Sequence, residues 1–412
     1  MKDLLEISCG LDIHKEKIVA CILTGPLGKP THSEIREFTT LIPDMLALRD
    51  WIISENCHHI AMESTGIYWI PIYEILEDAF SGDITLLVVN VRHMKNVPGK
   101  KTDMRDSEWI STLLRAGLLN ASFIPEKWIR EFRDLNRYRK SIIRDITSQK
   151  NRVEKFLQSC GFRLSSFISD IFGASGRNII LHLMEHGQID KISLDSYLKT
   201  KTRKRIDEIL MSVNGTLSEH QKSFLKILMC HYDSMKEHLI EIETHLQEDM
   251  LPFALQIEQL NTIYGISTTA SCAIIAEIGT DMKPFKTAEH ICSWAGLCPG
   301  NNESAGKRKS TSITKGNPYI KSMLCEIAWV IAGKRNTYLS AWYWRIKQKK
   351  GARKAIVALA RKLLVIIYTM LKQGTNFDEN CFEVRRKNCE QKQLSRYIRE
   401  LEKHGYTVEA QV

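Results

Sequence analysis

The chain has 412 residues, which allows two or three domains of about 100–200 residues each. Its 43% hydrophobic and 26% charged residues are typical of globular proteins and exclude wholesale disorder and fibrous repeats. The formal net charge of +10 favours a polyanionic partner such as nucleic acid, although many other enzymes are equally basic.

Several signals favour a cytoplasmic protein. No window reaches the roughly 18–20 apolar residues that a membrane helix needs, and the first residues lack the apolar core of a signal peptide. The eleven cysteines form no CxxC pair. Neither Cys57, which precedes two histidines, nor Cys292 with Cys298 has the second half of a zinc site. We therefore expect reduced thiols, no zinc and no membrane partner.

Residues 5–125 alternate strand and helix signals. Short apolar runs bounded by turn residues predict strands, and helical spacing of apolar residues predicts helices. The predicted strands are Glu6–His14, Lys17–Thr24, Ser33–Leu41, His58–Glu63 and Ile84–Val91, and the predicted helices are one that begins at Pro43, Tyr68–Phe80 and Asp103–Leu118. Three consecutive strands followed by alternating helices and strands predict a mixed α/β sheet with helices packed on it.

The middle third is predicted to be all-helical. Its clearest pattern is a coiled-coil rhythm of apolar residues, spaced three and four apart, at Leu225, Leu228, Tyr232, Met235, Leu239, Ile242 and Leu246. An earlier basic segment, Phe132–Leu157, has a similar seam that Arg139 and Gln149 interrupt. Two interpretations stay open: a helical hairpin within one chain with a solvated basic face, or an oligomer contact that also follows a nucleic-acid backbone.

The composition changes again from Leu251 onward. Residues 260–279 predict a helix-hairpin-helix segment, which either binds a phosphate through backbone N–H groups or merely packs. The polar segment Asn301–Asn317 predicts a loop, and helices are predicted over Tyr319–Lys334 and Lys350–Leu371. We therefore divide the chain into a sheet domain (1–128), a helical coiled-coil region (129–250), a mostly helical C-terminal domain (251–375) and a peripheral helix or tail (376–412).

Four carboxylates occupy informative positions. Asp12 and Glu63 end the first and fourth strands, and the spacing of Asp103 and Asp106 places both on one face at the start of a helix. Four acidic groups that met there would repel one another unless cations neutralised them. Oxygen ligands select hard metals such as Mg²⁺ or Mn²⁺, and pairs of such ions cleave phosphodiesters in many enzymes.

Each carboxylate also has a structural explanation. Asp103 suits a helix N-cap, Asp106 suits a first helical turn, and Asp12 suits the end of a hairpin strand. Glu63 is harder to explain in this way, because a carboxylate directly after three apolar residues is costly without a partner. The spacing alone therefore leaves a metal cluster and ordinary structural carboxylates both open.

The order of these elements and carboxylates resembles the DEDD insertion-sequence transposases of the "IS one-ten" type. These proteins join a RuvC-like domain of ribonuclease H fold to a C-terminal transposase domain. The resembling stretches are GLDIHKEKIVACIL (10–23), MESTGIYWIPIYEIL (62–76), VVNVRHMKNVPGKKTDMRDSEWISTLLRAGLL (88–119), LNTIYGISTTASCAIIAEIG (260–279), FKTAEHICSWAGLCPGNNESAGKRK (285–309) and ITKGNPYIKSMLCEIAW (313–329). Two separate domains agree in the right order, which makes the resemblance specific, whereas the helical middle and the tail are not diagnostic.

The resemblance implies a site. The family's four acids fall on Asp12, Glu63, Asp103 and Asp106, which would hold Mg²⁺ or Mn²⁺. Its serine nucleophile falls on Ser304, which would attack DNA and form a covalent phosphoserine link. The sequence departs from the family at Ser107, where we expect alanine in many members, and a small residue there should leave the site unaffected.

The resemblance also implies partners. We expect a DNA transposase or recombinase in the cytosol or nucleoid of a prokaryote, acting on donor and target DNA under the guidance of a noncoding bridge RNA. The family forms dimers and tetramers and is thought to combine the acids of one subunit with the serine of another. The cations that we single out as candidate nucleic-acid contacts are Lys100, Lys101, Arg137, Arg144, Lys307, Arg308, Lys309 and Lys315.

Other classes stay open. A junction-resolving nuclease would need the acids but not Ser304, and the neighbours Ser310 and Ser312 are alternatives to that serine. A sugar-kinase-like ATPase shares a related sheet topology, but its later Gly-rich phosphate segments are missing from the sequence. A DNA-binding protein without catalysis would tolerate the loss of all four acids. Nothing next to Ser304 in sequence supplies a base or a metal ligand, so its activation must come from elsewhere in space.

Overall fold

The structure is a computed structural model, and it describes residues 3–64, 66–80, 82–90, 106–300, 302–304, 307–310, 312–335 and 337–405. The chain divides into two compact units, Met1–Ile124 and Pro125–Val412, and each is described by itself. The finer division of the second unit into three regions stays a prediction. Within the described ranges, no helix is both long and apolar enough to span a bilayer.

The first unit is built on a five-stranded sheet in the order β3-β2-β1-β4-β5. Its strands are β1 (Ile7–Ile13), β2 (Lys17–Thr24), β3 (His32–Thr39), β4 (His59–Glu63) and β5 (Thr85–Val89). The first three strands form an antiparallel meander, whereas β4 runs parallel to both β1 and β5. Its helices are α1 (Ile42–Ser54), α2 (Trp69–Phe80) and α3 (Asp106–Arg115). The predicted mixed α/β sheet is confirmed.

Alternating side chains of the strands pack into two layers. On one face, Leu11 and Met62 are fully buried in a core that Leu48 of α1 and Ile72 of α2 complete. On the other face, Ala61 and Val89 pack against Ile110 and Leu113 of α3. The sheet is therefore covered by helices on both faces, which explains why its central strands are apolar on both sides.

Arg115 anchors the C-terminal end of α3 to the sheet. Its side chain is only 2% exposed, and its guanidinium donates hydrogen bonds to the carbonyl oxygens of Glu6 (2.7 Å), Gly25 (2.8 Å) and Pro26 (3.0 Å). Its Nε lies 3.4 Å from a carboxylate oxygen of Asp3. One buried cation thus joins α3 to the start of β1 and to the segment that follows β2.

The second unit is mostly helical. Its helices are α4 (Lys127–Ser159), α5 (Ala174–His186), α6 (Lys191–Tyr197), α7 (Thr200–Arg203), α8 (Ile206–Ser212), α9 (Glu219–Asp249), α10 (Ala254–Asn261), α11 (Thr268–Ile278), α12 (Ala288–Trp294), α13 (Pro318–Gly333), α14 (Tyr338–Lys350), α15 (Ala352–Gln373) and α16 (Glu383–Lys403). Short 3₁₀ turns occur at Leu164–Ser166, Leu251–Phe253 and Glu379–Phe382, and a two-stranded sheet pairs β6 (Asn302–Ser304) with β7 (Lys307–Ser310).

The predicted coiled-coil seam is filled from within the chain. α4 and α9 pack along each other, and the buried apolar residues of α9 are Leu225, Met229, Tyr232, Met235, Leu239, Ile242 and Leu246. Met229 thus occupies the seam position predicted for Leu228. The polar interruptions of α4 have partners on α9: Gln149 Nε2 donates to the Leu228 carbonyl oxygen (2.8 Å), and Arg139 Nε donates to Glu243 (2.9 Å). The structure therefore shows the helical hairpin within one chain.

The C-terminal elements correct the sequence analysis in three places. Two helices joined by a turn occur, with Gly265 in the turn at φ +91°, but the first, α10, ends at Asn261 and lies mostly before the predicted segment 260–279. The segment predicted as a loop instead contains the β6–β7 pair. Helix α14 lies between the two predicted helices, where the sequence predicts none, and the charged segment after residue 376 contains α16.

Candidate active site

Asp12 and Glu63 lie at the same end of two neighbouring parallel strands. The register pairs Leu11 of β1 with Met62 of β4, so each acid is the next residue along its strand. Residues in register on parallel strands project to the same face, and neighbouring strands are about 4.8 Å apart. The structure therefore brings these two predicted acids together, and the Asp12 side chain is 14% exposed.

α3 runs antiparallel to β1 on the face that carries Asp12. Ser111 pairs with Ser8 near the start of β1, and a Cβ added to Gly10 would lie 2.2 Å from the Ser107 carbonyl oxygen. Positions nearer the C-terminal end of β1 therefore lie beside positions nearer the N-terminus of α3. Asp12 is two residues after Gly10 on the same face of β1, so it lies near the N-terminus of α3, where Asp106 is the first residue. Asp103 and the candidate cations Lys100 and Lys101 lie outside the described residues.

His14 is a neighbour of Asp12 that the sequence analysis does not single out. Its Nε2 lies 3.2 Å from Asp12 Oδ2, which makes a hydrogen bond and, when the ring is protonated, an ion pair. The signal for this pair is its spacing, because residues two apart at a strand end place both side chains on one face.

The donor chemistry at this end of the sheet suits a hard divalent cation. Asp12, Glu63 and Asp106 offer carboxylate oxygens only, which is the donor set that Mg²⁺ and Mn²⁺ prefer. Within the described part of the chain, no three histidine, cysteine or acidic side chains are already close enough to hold an ion. The residues present thus fit part of a hard-metal site.

Ser304 lies at the tip of a β-hairpin in the second unit. It ends β6 and pairs with Lys307, the first residue of β7. Closer to the base of the hairpin, Pro299 and Ile313 form an antiparallel β-bridge, and the Gly300 amide donates a hydrogen bond to the Ser312 carbonyl oxygen (2.9 Å). Ladder hydrogen bonds therefore fix the backbone that leads to this serine.

The base of the hairpin is tightly packed. A Cβ added to Gly316 would lie 2.2 Å from the Gly296 nitrogen, so only glycine fits there. The next residue, Asn317, caps α13 by accepting from the amides of Tyr319 and Ile320, and its Nδ2 donates to Glu277 Oε2 (2.6 Å).

Glu277 on α11 is the centre of a buried ion-pair cluster. Its side chain is 1% exposed, and its two oxygens accept from Nε and Nη2 of Arg137, each at 2.8 Å. Arg133 Nε lies 3.7 Å away. Burial lowers the pKa of Arg133 to about 10, against the opposing charge of Glu277. Burial also acts to lower the pKa of Arg137, but the hydrogen bonds and charge of Glu277 outweigh it and leave that pKa raised.

This cluster changes the interpretation of one candidate nucleic-acid contact. Glu277 accepts from the Nε–Nη2 edge of the Arg137 guanidinium, which also lies 4.2 Å from the centre of the Tyr319 ring. The geometry therefore gives Arg137 an internal role. Arg144 and Lys315 are exposed. Lys307, Arg308 and Lys309 are on β7, whose side chains are outside what the structure describes.

Comparisons with known proteins agree with this architecture. A family model for the DEDD domain of IS110 transposases matches residues 9–162, and a model described as "Transposase IS116/IS110/IS902 family" matches residues 257–345. Together they cover more than half of the chain. The first covers the α/β unit from residue 9, with Asp12 and Glu63, and continues through α4, and the second contains the hairpin with Ser304.

Curated relatives point the same way. The "Pilin gene-inverting protein" of Moraxella bovis and that of Moraxella lacunata are each 32% identical over 127 residues, which are 30% of this chain and 39% of each relative. The "Putative transposase y4qE" of Sinorhizobium fredii is 22% identical over 280 residues, 66% of this chain and 58% of that protein. The matched region thus spans less than two thirds of each relative.

The fold is a mixed five-stranded α/β domain followed by helical domains, and both matched regions are those of IS110-type transposases. The chain belongs to the IS110 family of transposases.

Proposed function

We propose that the protein is a DNA transposase or recombinase that cleaves and rejoins strands to move its own insertion element. The observation that carries the proposal is the pairing of Asp12 and Glu63 at the carboxyl ends of adjacent parallel strands, beside the start of α3. The names of the relatives support it, since one describes a gene-inverting protein and another a transposase.

The four acids Asp12, Glu63, Asp103 and Asp106 would hold Mg²⁺ or Mn²⁺. Such an ion supplies positive charge that offsets the charge developing on a phosphodiester under attack. The protein's own contribution is to fix Asp12 and Glu63 at the ends of rigid strands and Asp106 at the start of a helix packed on the sheet, so that little rearrangement of these three accompanies binding.

Ser304 is the proposed nucleophile. Its Oγ attacks the scissile phosphorus and loses its proton, an O–P bond to serine forms, and the P–O bond to one DNA strand breaks. The departing strand oxygen takes up a proton. Attack by the hydroxyl of another strand on the phosphoserine then restores both the serine and a phosphodiester, so the link is conserved without hydrolysis. Serine needs activation for this chemistry, which in this proposal the acidic site supplies.

The partners follow from the family resemblance. A noncoding bridge RNA would pair with donor and target DNA and supply sequence choice, leaving shape and backbone contacts to the protein. The active species would be a dimer or tetramer in the prokaryotic cytosol or nucleoid, with acids and serine from different subunits. A junction-resolving nuclease without a serine intermediate is the alternative that the experiments address.

The serine is tested by trapping the covalent intermediate. Cleavage by the wild type should leave a protein–DNA adduct that survives denaturation, and Ser304→Ala should lose both adduct and cleavage. Ser310→Ala and Ser312→Ala are matched controls nearby on the same hairpin and should keep both. Cleavage by Ser304→Ala at the wild-type rate, without an adduct from either protein, would establish the nuclease alternative.

The acids are tested separately from binding. Asp12→Asn and Glu63→Gln should each lower cleavage by at least about a hundredfold, the usual cost of losing a group that stabilises charge in the transition state, while DNA binding is retained. Asp50→Asn is the control, because Asp50 is an exposed carboxylate on α1, across the sheet. Mg²⁺ should raise the melting temperature of the wild type but not of Asp12→Asn. Full activity of Asp12→Asn would contradict the assignment.

Subunit sharing is tested by mixing. Asp12→Asn and Ser304→Ala proteins, each inactive alone, should recover activity together if one site combines residues of two chains. No recovery in a mixed oligomer would show that each site is built from a single chain.

A further inference from the structure

One region of the second unit is unusually basic. Residues 327–377 contain eleven lysines and arginines and no aspartate or glutamate. The highest density is where α14 ends at Lys350 and α15 begins at Ala352. We call this place the α14–α15 corner and define it by Lys349, Lys350, Arg353 and Lys354.

The charges of this corner are open to solvent and are not neutralised internally. All four side chains are exposed. Across the described ranges, none of them lies within ion-pair distance of a carboxylate. Gly351, at φ +79°, turns the chain between the helices, and a Cβ built there would meet no atom within 4 Å. The surface is thus accessible to a large partner.

Helix electrostatics explain only half of the cluster. Lys349 and Lys350 stand in the last turn of α14, where cations are favourable because the carbonyl end of a helix is negative. Arg353 and Lys354 stand in the first turn of α15, where cations are unfavourable. That turn has no acidic residue, and its N-cap, Gly351, supplies no side-chain acceptor. The arrangement opposes helix stability and favours an external anion at the free amides.

The neighbouring tryptophan indicates which polyanion fits. Trp344 is 46% exposed, but its indole N–H donates to the Ala332 carbonyl oxygen (3.2 Å), and Lys347 Nζ lies 4.0 Å from the centre of the ring. Single strands bind proteins largely by stacking bases on free aromatic faces. Lys347 covers one face of this ring, and residues 349–354 of the corner include no aromatic side chain, so the corner offers charge for a phosphate backbone rather than a platform for bases.

We propose that the α14–α15 corner binds the phosphate backbone of double-helical DNA, independently of sequence. The inference goes beyond the proposed catalytic site, because none of these four residues belongs to it. Lysine and arginine side chains around a helix N-terminus are the groups that commonly contact DNA phosphates. A corner with four such cations positions a duplex without reading its bases.

The test measures duplex binding as a function of salt. The variant carries Lys349→Gln, Lys350→Gln, Arg353→Gln and Lys354→Gln in the full chain. If all four cations contact phosphates, the slope of log K against log salt should fall by about 3–4, at roughly 0.9 per contact, and affinity at 0.1 M salt should drop more than about tenfold. An unchanged slope would overturn the proposal.

The control removes four cations elsewhere. Lys191→Gln, Lys199→Gln, Lys204→Gln and Arg205→Gln change the net charge equally at an exposed place, where Asp207 and Glu208 already neutralise two of them. This control should bind like the wild type. An equal loss would mean that bulk charge, not the corner, holds the DNA. A loss confined to double-stranded RNA would assign the corner to RNA and would also overturn the proposal.

A charge reversal separates binding from folding. Arg353→Glu with Lys354→Glu places acids in the first turn of α15, which should keep or raise the melting temperature while weakening duplex binding further. Weaker binding with a lower melting temperature would mean that the corner matters for folding alone. Cleavage by the wild type is scored in parallel. Its absence contradicts the proposed function, whereas normal cleavage with unaltered binding by the corner variants contradicts only this inference.

Discussion

Two buried serines on one face of α3 give opposite predictions for the stability of the first unit. Both are fully buried. Ser111 Oγ donates to the Ser8 carbonyl oxygen at 2.9 Å and lies 2.9 Å from Ser8 Oγ. Ser107 Oγ has no hydrogen-bond partner among the residues that the structure describes. Alanine removes one oxygen at either place, so the two substitutions differ only in what that oxygen contacts.

The magnitudes follow from this difference. A buried hydroxyl without a partner costs about 1–3 kcal/mol, so Ser107→Ala should stabilise the unit by about 1–2 kcal/mol. Ser111→Ala loses up to two hydrogen bonds at about 1 kcal/mol each and should destabilise by about 1–2 kcal/mol. The variants should differ by about 2–4 kcal/mol, which is about a 30-fold to nearly 1000-fold difference in an opening equilibrium constant.

Native-state hydrogen exchange of the full chain measures this directly. Peptides from β1 and α3 report the opening free energy of the unit that contains the serines, and peptides from α9 serve as an internal control. Protection of β1 and α3 should rise in Ser107→Ala and fall in Ser111→Ala, with α9 unchanged. A loss of protection in Ser107→Ala equal to that in Ser111→Ala would refute the reasoning, because it would show that the Ser107 hydroxyl has a partner.

Three further predictions concern buried charges and thiols. Arg115→Met removes the donor for three carbonyl oxygens and should cost about 3–5 kcal/mol, seen as faster exchange in β1 and after β2. Glu277→Gln leaves two partly buried arginines without a counter-charge and should also cost about 3–5 kcal/mol in urea unfolding of the second unit; a cost below about 1 kcal/mol would contradict it. Burial raises the pKa to about 11 at three thiols, so the folded state holds these protons more tightly. The thiols are Cys21, Cys57 and Cys292. Their stabilisation of the folded state is complete below about pH 9 and is lost as the pH rises toward 11. A melting temperature that stays constant over that range would contradict this prediction.

The α/β unit is predictable from the sequence because its signals are local. β1 and β2 are short apolar runs bounded by turn residues, and runs of that length are typical of strands. The bounds of both strands in the structure are within one residue of those predicted. The ends of β1 and β4 follow from the same pattern. Parallel pairing of those strands then brings Asp12 and Glu63 to one place, so two acids of the proposed site can be expected from the sequence alone.

The elements that the sequence does not predict lack such signals. The strands of the hairpin, NES and KRKS, have no apolar side to alternate with a polar one, and they are strands only because they pair with each other. Helix α14 buries only Leu339, Ser340 and Tyr343 in thirteen residues, so it has no apolar stripe to detect.

Long-range pairing is the other limit. Arg137 is a candidate cation for nucleic acid in the sequence because it belongs to a strongly basic segment. Its partner Glu277 is 140 residues away in sequence, on a helix whose apolar composition gives no reason to expect a buried acid. Net charge can be read from composition, but which charges remain available to a partner depends on tertiary packing.

The position of the proposed metal site depends on Gly10, which has no side chain. Along one face of β1, Ser8 accepts and donates hydrogen bonds to α3, Gly10 allows the helix backbone within van der Waals contact, and Asp12 comes next at the open end. A larger residue at Gly10 would push the N-terminal turn of α3 outward, because the nearest atoms are backbone and cannot rotate away. Asp106, the first residue of that turn, would move with it, while Asp12 stays with the sheet. The separation of Asp12 from Asp106 is therefore set by close packing between β1 and α3, and carboxylates on such rigid elements hold their geometry without reorganisation when an ion and a phosphodiester arrive.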